Sequence, residues 1–301
     1  MSLADLILQN VPLPSLPNYL TSYHRGVTPL STWSTVLPAL AVYLAIVFSI
    51  QAFMRSRQAI KLNTLFQIHN IYLTSGSLLL LLLMVEEIGP IVWKNGLFNG
   101  MCNSSSWTPR LEFYYMINYY IKYVELLDTV FLALKKKPLA FLHVFHHSAT
   151  AMLCYTQLNG RTSVSWVPIV LNLSVHVVMY YYYYATAAGR KIWWKKYLTT
   201  MQITQFIIDL FAVYYASTYL LIPRFPRYSY FAATYFPMLP HQGTCSGSEG
   251  AAAFGCALLT TYLFLFISFY KNTYKKGPRG GKGKAVNGHA SSKTTYVVPV
   301  T

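Results

Sequence analysis

Seven stretches of the chain are apolar with few polar interruptions: residues 33–54, 65–88, 111–134, 138–158, 164–187, 198–222 and 249–271. Each is close to the length of about 20 residues that a helix needs to cross the hydrocarbon core of a bilayer. Backbone polar groups in hydrocarbon must be satisfied within the segment, so the pattern predicts seven transmembrane helices and an all-α membrane protein. The third and fourth stretches depart most from an apolar run, because both carry ionisable side chains. The pattern also divides the chain into an N-terminal segment (1–32), a membrane unit (33–272) and a tail (273–301). The tail is rich in Gly, Lys and Ser and lacks apolar periodicity, which reads as a disordered extension. No repeat at solenoid spacing and no soluble domain is visible. The first basic residue is Arg25, with no short basic region ahead of an early apolar core. No cleavable signal peptide is therefore expected, and the first helix serves as its own insertion signal.

Composition agrees with a lipid-facing chain: 54% of residues are hydrophobic and 11% charged, against about 25% charged in soluble domains. The net charge of +16 invites a nucleic-acid reading until the cations are placed on the predicted topology. Arg55, Arg57 and Lys61 follow the first helix, Lys135, Lys136 and Lys137 the third, and Arg190, Lys191, Lys195 and Lys196 the fifth. Seven more follow the last, which places 17 on one face. Arg25, Lys94, Arg110, Arg161, Arg224 and Arg227 make six on the other, and Lys122 lies within the third helix. The positive-inside rule then sets the N-terminus outside or in a lumen and the C-terminus in the cytosol. Topology accounts for the basicity, and no nucleic-acid partner is expected.

Cys102 and Cys245 fall in loops of the non-cytosolic face, where disulfides persist, and a Cys102–Cys245 bridge is expected. Asn103-Ser104-Ser105 is a glycosylation sequon on the same face. Cys154 and Cys256 lie within helices and read as packing residues.

Ionisable groups inside a bilayer are costly and usually face an interior cavity. The third helix carries Lys122, Glu125, Asp128 and Thr129 in "IKYVELLDTV", with 122, 125 and 129 on one face. The fourth carries His143, His146 and His147 in "FLHVFHHSATAM", again one sector of a helix. Asn172 and His176 stand four apart in the fifth; Gln202, Gln205 and Asp209 share a face of the sixth. A single buried ion pair or lone histidine is ordinary packing, and Lys122 with Glu125 has that bland reading too. Four polar stripes on successive helices point instead to one shared polar cavity. In the run Tyr180–Tyr184, only Tyr180 and Tyr183 lie on the His176 face; the others read as an interfacial aromatic belt.

The HxxHH pattern occurs in membrane-bound di-iron desaturases, where imidazole suits iron. Those enzymes use three histidine boxes and about eight ligands, whereas here one box exists, His176 is the only other histidine in the third to seventh helices, and His69 lies alone in the second. A single zinc site lacks an accompanying CxxC or HExxH, so no metal is expected. What remains is nucleophilic or general acid–base chemistry, with imidazole attacking an acyl group or moving protons. The basic face suggests the acyl carrier: Lys135, Lys136, Lys137, Arg190, Lys191, Lys195 and Lys196 could hold the phosphates of coenzyme A. The bland reading of each of these is a positive-inside anchor.

Four blocks, "KYVELLDT", "LHVFHH", "NLSVHVVMYYYY" and "TTMQITQF", resemble the signature blocks of the very-long-chain fatty acid elongases, and "FQIHNIYLTSGS" resembles a weaker fifth. The resemblance spans roughly 55–272. It implies a 3-ketoacyl-CoA synthase of the endoplasmic reticulum membrane that condenses acyl-CoA with malonyl-CoA, releasing CO2 and CoA. No bound cofactor is implied. The fold it implies is seven helices, six ringed around an enclosed acyl tunnel. Ketoacyl-CoA reductase, dehydratase and enoyl reductase of the elongation cycle are the implied partners. On this reading His146 is the nucleophile, and His143, His147 and His176 carry protons or steady negative charge. Asn172 and Gln202 donate to an oxyanion, and the Lys122–Glu125–Asp128 stripe orients the histidines. Pro138, where members acting on polyunsaturated chains have Gln, resembles the fungal branch that elongates saturated and monounsaturated chains, including those for sphingolipids. The chain departs from many members in ending "VVPVT" without a dilysine retention signal. Two other classes stay open on the residues alone: a di-iron lipid desaturase or hydroxylase, and a seven-helix transporter or receptor.

Overall fold

A computed structural model describes residues 2–10, 17–221 and 245–275. Arg224, Arg227 and the tail beyond Lys275 lie outside the described residues. Among those described, regular structure is helical with no strand. Two short helices, α1 (Leu3–Asn10) and α2 (Asn18–Thr21), precede seven longer ones. These are α3 (Trp33–Phe53), α4 (Asn63–Cys102), α5 (Pro109–Leu134), α6 (Phe141–Gly160), α7 (Trp166–Ala187), α8 (Lys195–Leu221) and α9 (Glu249–Tyr270). Four of them, α3, α4, α7 and α9, are long and apolar enough to cross a membrane. The other three, of 26, 20 and 27 residues, carry the polar stripes that lower their apolarity.

The starts of α5 and α9 are set by local chemistry. Thr108 accepts a hydrogen bond from the Leu111 N–H ahead of Pro109, and Ser248 accepts one from Ala251. Each satisfies one of the donors that a first turn leaves unpaired. The second apolar stretch does not stop at 88 as its pattern suggests. It runs on through Pro90 and breaks only at Gly96 (φ 79, ψ 163), a conformation that costs glycine little. The chain folds back there, and a Cβ on Gly100 would sit 2.7 Å from a Val92 methyl.

The packing neighbours run α4, α5, α6, α9, α8, α7 and back to α4, closing a ring of six helices. Helix α3 packs on α5 from outside that ring, burying Val36, Leu40, Tyr43 and Val47 while Val42, Ile46, Phe48 and Phe53 face outward. The face-by-face difference is what lipid contact on one side requires.

Helix α5 ends in a turn that glycine usually makes. Lys136 takes a left-handed φ of 52°, the Lys136 N–H donates to Ala133 O and the Lys137 N–H to Leu132 O. Lys136 compensates through its side chain, whose amine donates to the carbonyls of Arg55 (3.1 Å) and Arg57 (2.8 Å). The end of α5 is thereby tied to the α3–α4 connection.

At the opposite end of the bundle Glu112 is the organising group. Its carboxylate accepts from Ser22 Oγ, the Tyr23 N–H, Trp107 Nε1 and Arg161. The residues ahead of α3 are thus docked on the bundle, with Tyr119 and Tyr120 donating to the carbonyls of Leu30 and Pro29. On the same side Cys102 and Cys245 are joined by a disulfide. Cys154 and Cys256 are free.

Candidate active site

Helices α6, α7, α8 and α9 surround a narrow cavity whose wall includes His143, His146, His147, Asn172, His176 and Gln202. The residues come from three elements distant in sequence, and helical periodicity turns each stripe to the same interior. Val175, Met179, Phe206 and Phe266 complete an apolar lining. An apolar interior with a few converging polar groups is the usual form of a small-molecule site.

The polar groups divide into braced and unbraced ones. Lys122 Nζ lies 2.8 Å from Glu125 Oε1 and 2.9 Å from Asn172 Oδ1. An ammonium only donates, so this contact fixes which end of the Asn172 amide is oxygen. Asn172 Nδ2 then faces His176 Nε2 at 3.2 Å as the donor, and Nε2 must be the unprotonated nitrogen. The Nδ1–H of His176 lies toward Glu125 Oε1 at 3.2 Å. The Lys122–Asn172–His176 chain therefore sets the tautomer of His176, and Glu125 stands beside its Nδ1 without hydrogen-bond geometry.

His146 is held differently. Its backbone carbonyl accepts from Thr150 Oγ1 (2.6 Å) and Tyr262 OH (3.2 Å). Its ring lies against Tyr262, Phe266 and His147, with centroids 4.7, 5.8 and 5.6 Å away. The rings of His143 and His147 lie 4.6 Å apart at a tilt of 58°, and neither nitrogen of His143 has a hydrogen-bond partner among the described residues.

Asp128 does not join the cavity histidines. It accepts from Tyr180 OH at 2.9 Å and sits 2.8 Å from His69 Nε2. Of the stripe expected to orient the histidines, Lys122 and Glu125 touch that network, while Asp128 pairs across to α4. Tyr180 also meets the His176 ring edge-on, with centroids 5.2 Å apart. None of Lys135, Lys136, Lys137, Arg190, Lys191, Lys195 or Lys196 is part of the cavity wall. Lys135 lies over the Phe66 ring and Lys136 is taken up by backbone carbonyls. Among the described residues no cluster of three His, Cys, Asp or Glu could hold a metal ion.

Two further cavities lie toward the disulfide end, and neither shares a lining residue with the histidine cavity. One is lined by Asn118, Leu153, Cys154, Gln157, Ile169 and Leu259, among others. The next shares Gln157, Val164 and Val213 with it and reaches Cys245. From the first cavity to the third the lining residues rise in number along α6 and α8 and fall along α7 and α9. The succession therefore follows the bundle axis between antiparallel neighbours.

The GNS1/SUR4 (ELO) family profile matches residues 28–282. The chain belongs to the ELO family. It is 51% identical to "Putative fatty acid elongase 1" of Schizosaccharomyces pombe over 88% of this chain and 78% of that protein. Identity to "Fatty acid elongase A" of Dictyostelium discoideum is 35%, over 84% of this chain and 88% of the relative. "Very long chain fatty acid elongase 2" of Rattus norvegicus is 28% identical over 87% and 89%. The resemblance to the family's fungal-type branch agrees with the fungal relative. With its apolar helices, this ELO member is a multi-pass membrane protein.

Sequence reasoning missed two parts of the site in this ELO protein. Tyr262 and Phe266 of α9 wall in His146, yet the one acidic residue of α9, Glu249, lies in its first turn and marks nothing near them. The His69–Asp128–Tyr180 contact was missed as well. A lone histidine in an apolar helix needs a partner of some kind, and that signal was present at His69.

Proposed function

We propose that the protein is a 3-ketoacyl-CoA synthase of the endoplasmic reticulum, its basic face cytosolic, catalysing the condensing step of fatty acid elongation. Family membership supports elongation. The observation that carries the mechanism is the contrast between His176, whose Nε2 lone pair is engaged by Asn172, and His146, whose ring faces the cavity without a hydrogen bond to either nitrogen among the described residues.

In the first half-reaction a lone pair of the His146 imidazole attacks the thioester carbonyl. The C–S bond breaks, CoA leaves as thiolate and takes up a proton, and an acyl-imidazole remains. Asn172 has a second amide N–H beyond the one given to His176, and Gln202 lines the same wall. On this reading both would donate to the developing oxyanion. In the second half-reaction malonyl-CoA loses CO2, and its electron pair becomes an enolate that attacks the acyl carbon. The C–N bond to His146 breaks, releasing 3-ketoacyl-CoA and restoring the imidazole. His143, His147 and His176 serve the proton transfers. The acyl chain would extend through the successive cavities toward the disulfide end. The cations beyond the cavity, Arg190, Lys191, Lys195 and Lys196 among them, would meet the CoA phosphates. The keto product then requires reduction, dehydration and a second reduction by partner enzymes.

The test is purified protein given labelled malonyl-CoA with acyl-CoAs of graded length, and separately acyl-CoA alone. Condensation and a covalent acyl adduct on His146 are expected. A His146→Ala variant that still forms the adduct in full yield would overturn the assignment, and His176 would be the next candidate.

A further inference from the structure

The chain has eight acidic residues, and none stands near the basic face. Glu125, Asp128 and Asp209 are buried inside the bundle, while Asp5, Glu86, Glu87, Glu112 and Glu249 lie at or toward the disulfide end. Among the described residues the cations of the opposite face have no carboxylate beside them, and no ion pair joins any of them. They are open to counter-ions from outside.

One group of them is organised into a pocket. An open hollow lies between α3, α5 and the turn after α5, lined by Gln51, Met54, Arg55, Ala133, Lys136 and Lys137. Met54 and Ala133 are buried and make an apolar floor, and Arg55 and Lys137 carry charge at its rim. The walls are held by the Lys136 amine on the Arg55 and Arg57 carbonyls and by Ile60 N–H donating to Leu134 O. A lysine in the left-handed position where glycine is usual carries a local conformational cost, and such strain concentrates at sites with a role. The pocket shares no lining residue with the histidine cavity. It opens beside α3, the helix outside the ring, where Phe48 is exposed one turn before Gln51.

We propose that this corner binds the phosphate of an anionic membrane lipid, held by Arg55 and Lys137, with the lipid's chains laid along α3. Cations at the headgroup level attract anionic lipid, the guanidinium suits a phosphate fork, and the apolar outer face of α3 accounts for the chains. A free phosphate compound would use the cations but leave that face without a role.

The experiment uses the full-length protein in detergent with four probes: dioctanoyl phosphatidic acid, dioctanoyl phosphatidylcholine, inorganic phosphate and CoA. Thermal-shift titration should show phosphatidic acid stabilising the protein where phosphatidylcholine does not, and inorganic phosphate should match it only weakly. In Arg55→Gln/Lys137→Gln, which leaves the Lys136 tie intact, affinity for phosphatidic acid should fall at least about tenfold. Arg190→Gln/Lys191→Gln should retain it. Equal response to the two lipids, or equal loss in the two variants, overturns the proposal. CoA binding lost with phosphatidic acid in Arg55→Gln/Lys137→Gln overturns it too and assigns the corner to the substrate. The wild type offers a check that needs no variant. In nanodiscs, amine labelling of Lys137 should fall on adding phosphatidic acid while labelling of Lys191 changes little, and equal protection of both counts against the site.

Discussion

Lys122 Nζ stands 2.8 Å from Glu125 Oε1, one turn along the same helix, and both side chains are almost fully removed from solvent. Each charge is tolerable there only because the other is present. Lys122→Met strands a buried carboxylate and should cost about 3–5 kcal/mol. The double variant Lys122→Met/Glu125→Leu should recover most of that stability in thermal unfolding without recovering condensation activity. Equal stability of the single and double variants would show that the pair is not coupled.

Asn172 links this ion pair to His176. Asn172→Leu should lower turnover about 10²- to 10³-fold by removing the tautomer brace and an oxyanion donor together. Formation of the acyl adduct on His146 should slow in single-turnover trapping, because the oxyanion donor serves that half-reaction. An unchanged rate of adduct formation would remove Asn172 from the acylation step.

Tyr180 donates to Asp128 deep in the bundle. Tyr180→Phe leaves that carboxylate with His69 alone and should destabilise the fold by about 1–3 kcal/mol. Activity of the remaining folded enzyme should fall less than it does in Asn172→Leu, since Asp128 touches none of the cavity histidines. A larger kinetic than thermal effect would move Asp128 into the catalytic network.

Gly255 lines the second cavity, and an added Cβ would meet the Gln157 amide at 3.4 Å, an ordinary contact. Gly255→Leu should therefore fold and fill part of that space. Product analysis with graded acyl-CoAs should show the longest product shortened by about two to four carbons, because a filled apolar pocket rejects the excess methylenes. An unchanged product limit would place the chain elsewhere.

The Cys102–Cys245 bridge spans 143 residues of sequence. Cys245→Ser should lower stability by up to about 5 kcal/mol on the loop-entropy account. The comparison of melting temperatures with and without reductant checks it, the reductant being without effect on the variant.

Several features were legible in the residues before any fold was known. Apolar runs near the thickness of a bilayer dictated helices, because nothing else satisfies a backbone in hydrocarbon. The spacing of His143, His146 and His147, and of Asn172 and His176, already placed each set on one face. What the linear pattern could not show was which faces meet. His69 and Asp128 are 59 residues apart, and Asn172 takes its orientation from Lys122, 50 residues away. Such contacts depend on the order of helices around the ring, which periodicity within one helix does not encode. Tyr262 and Phe266 acquire meaning only beside His146, since an aromatic on an apolar helix looks the same whether it faces lipid or a reacting group. The same limit applied to the basic residues. Their number and side were written in the sequence, but only packing separated Lys136, bound to carbonyls, from Arg55 and Lys137, left at the rim of a pocket. Local chemistry is determined by neighbours in sequence, whereas the site is determined by neighbours in space.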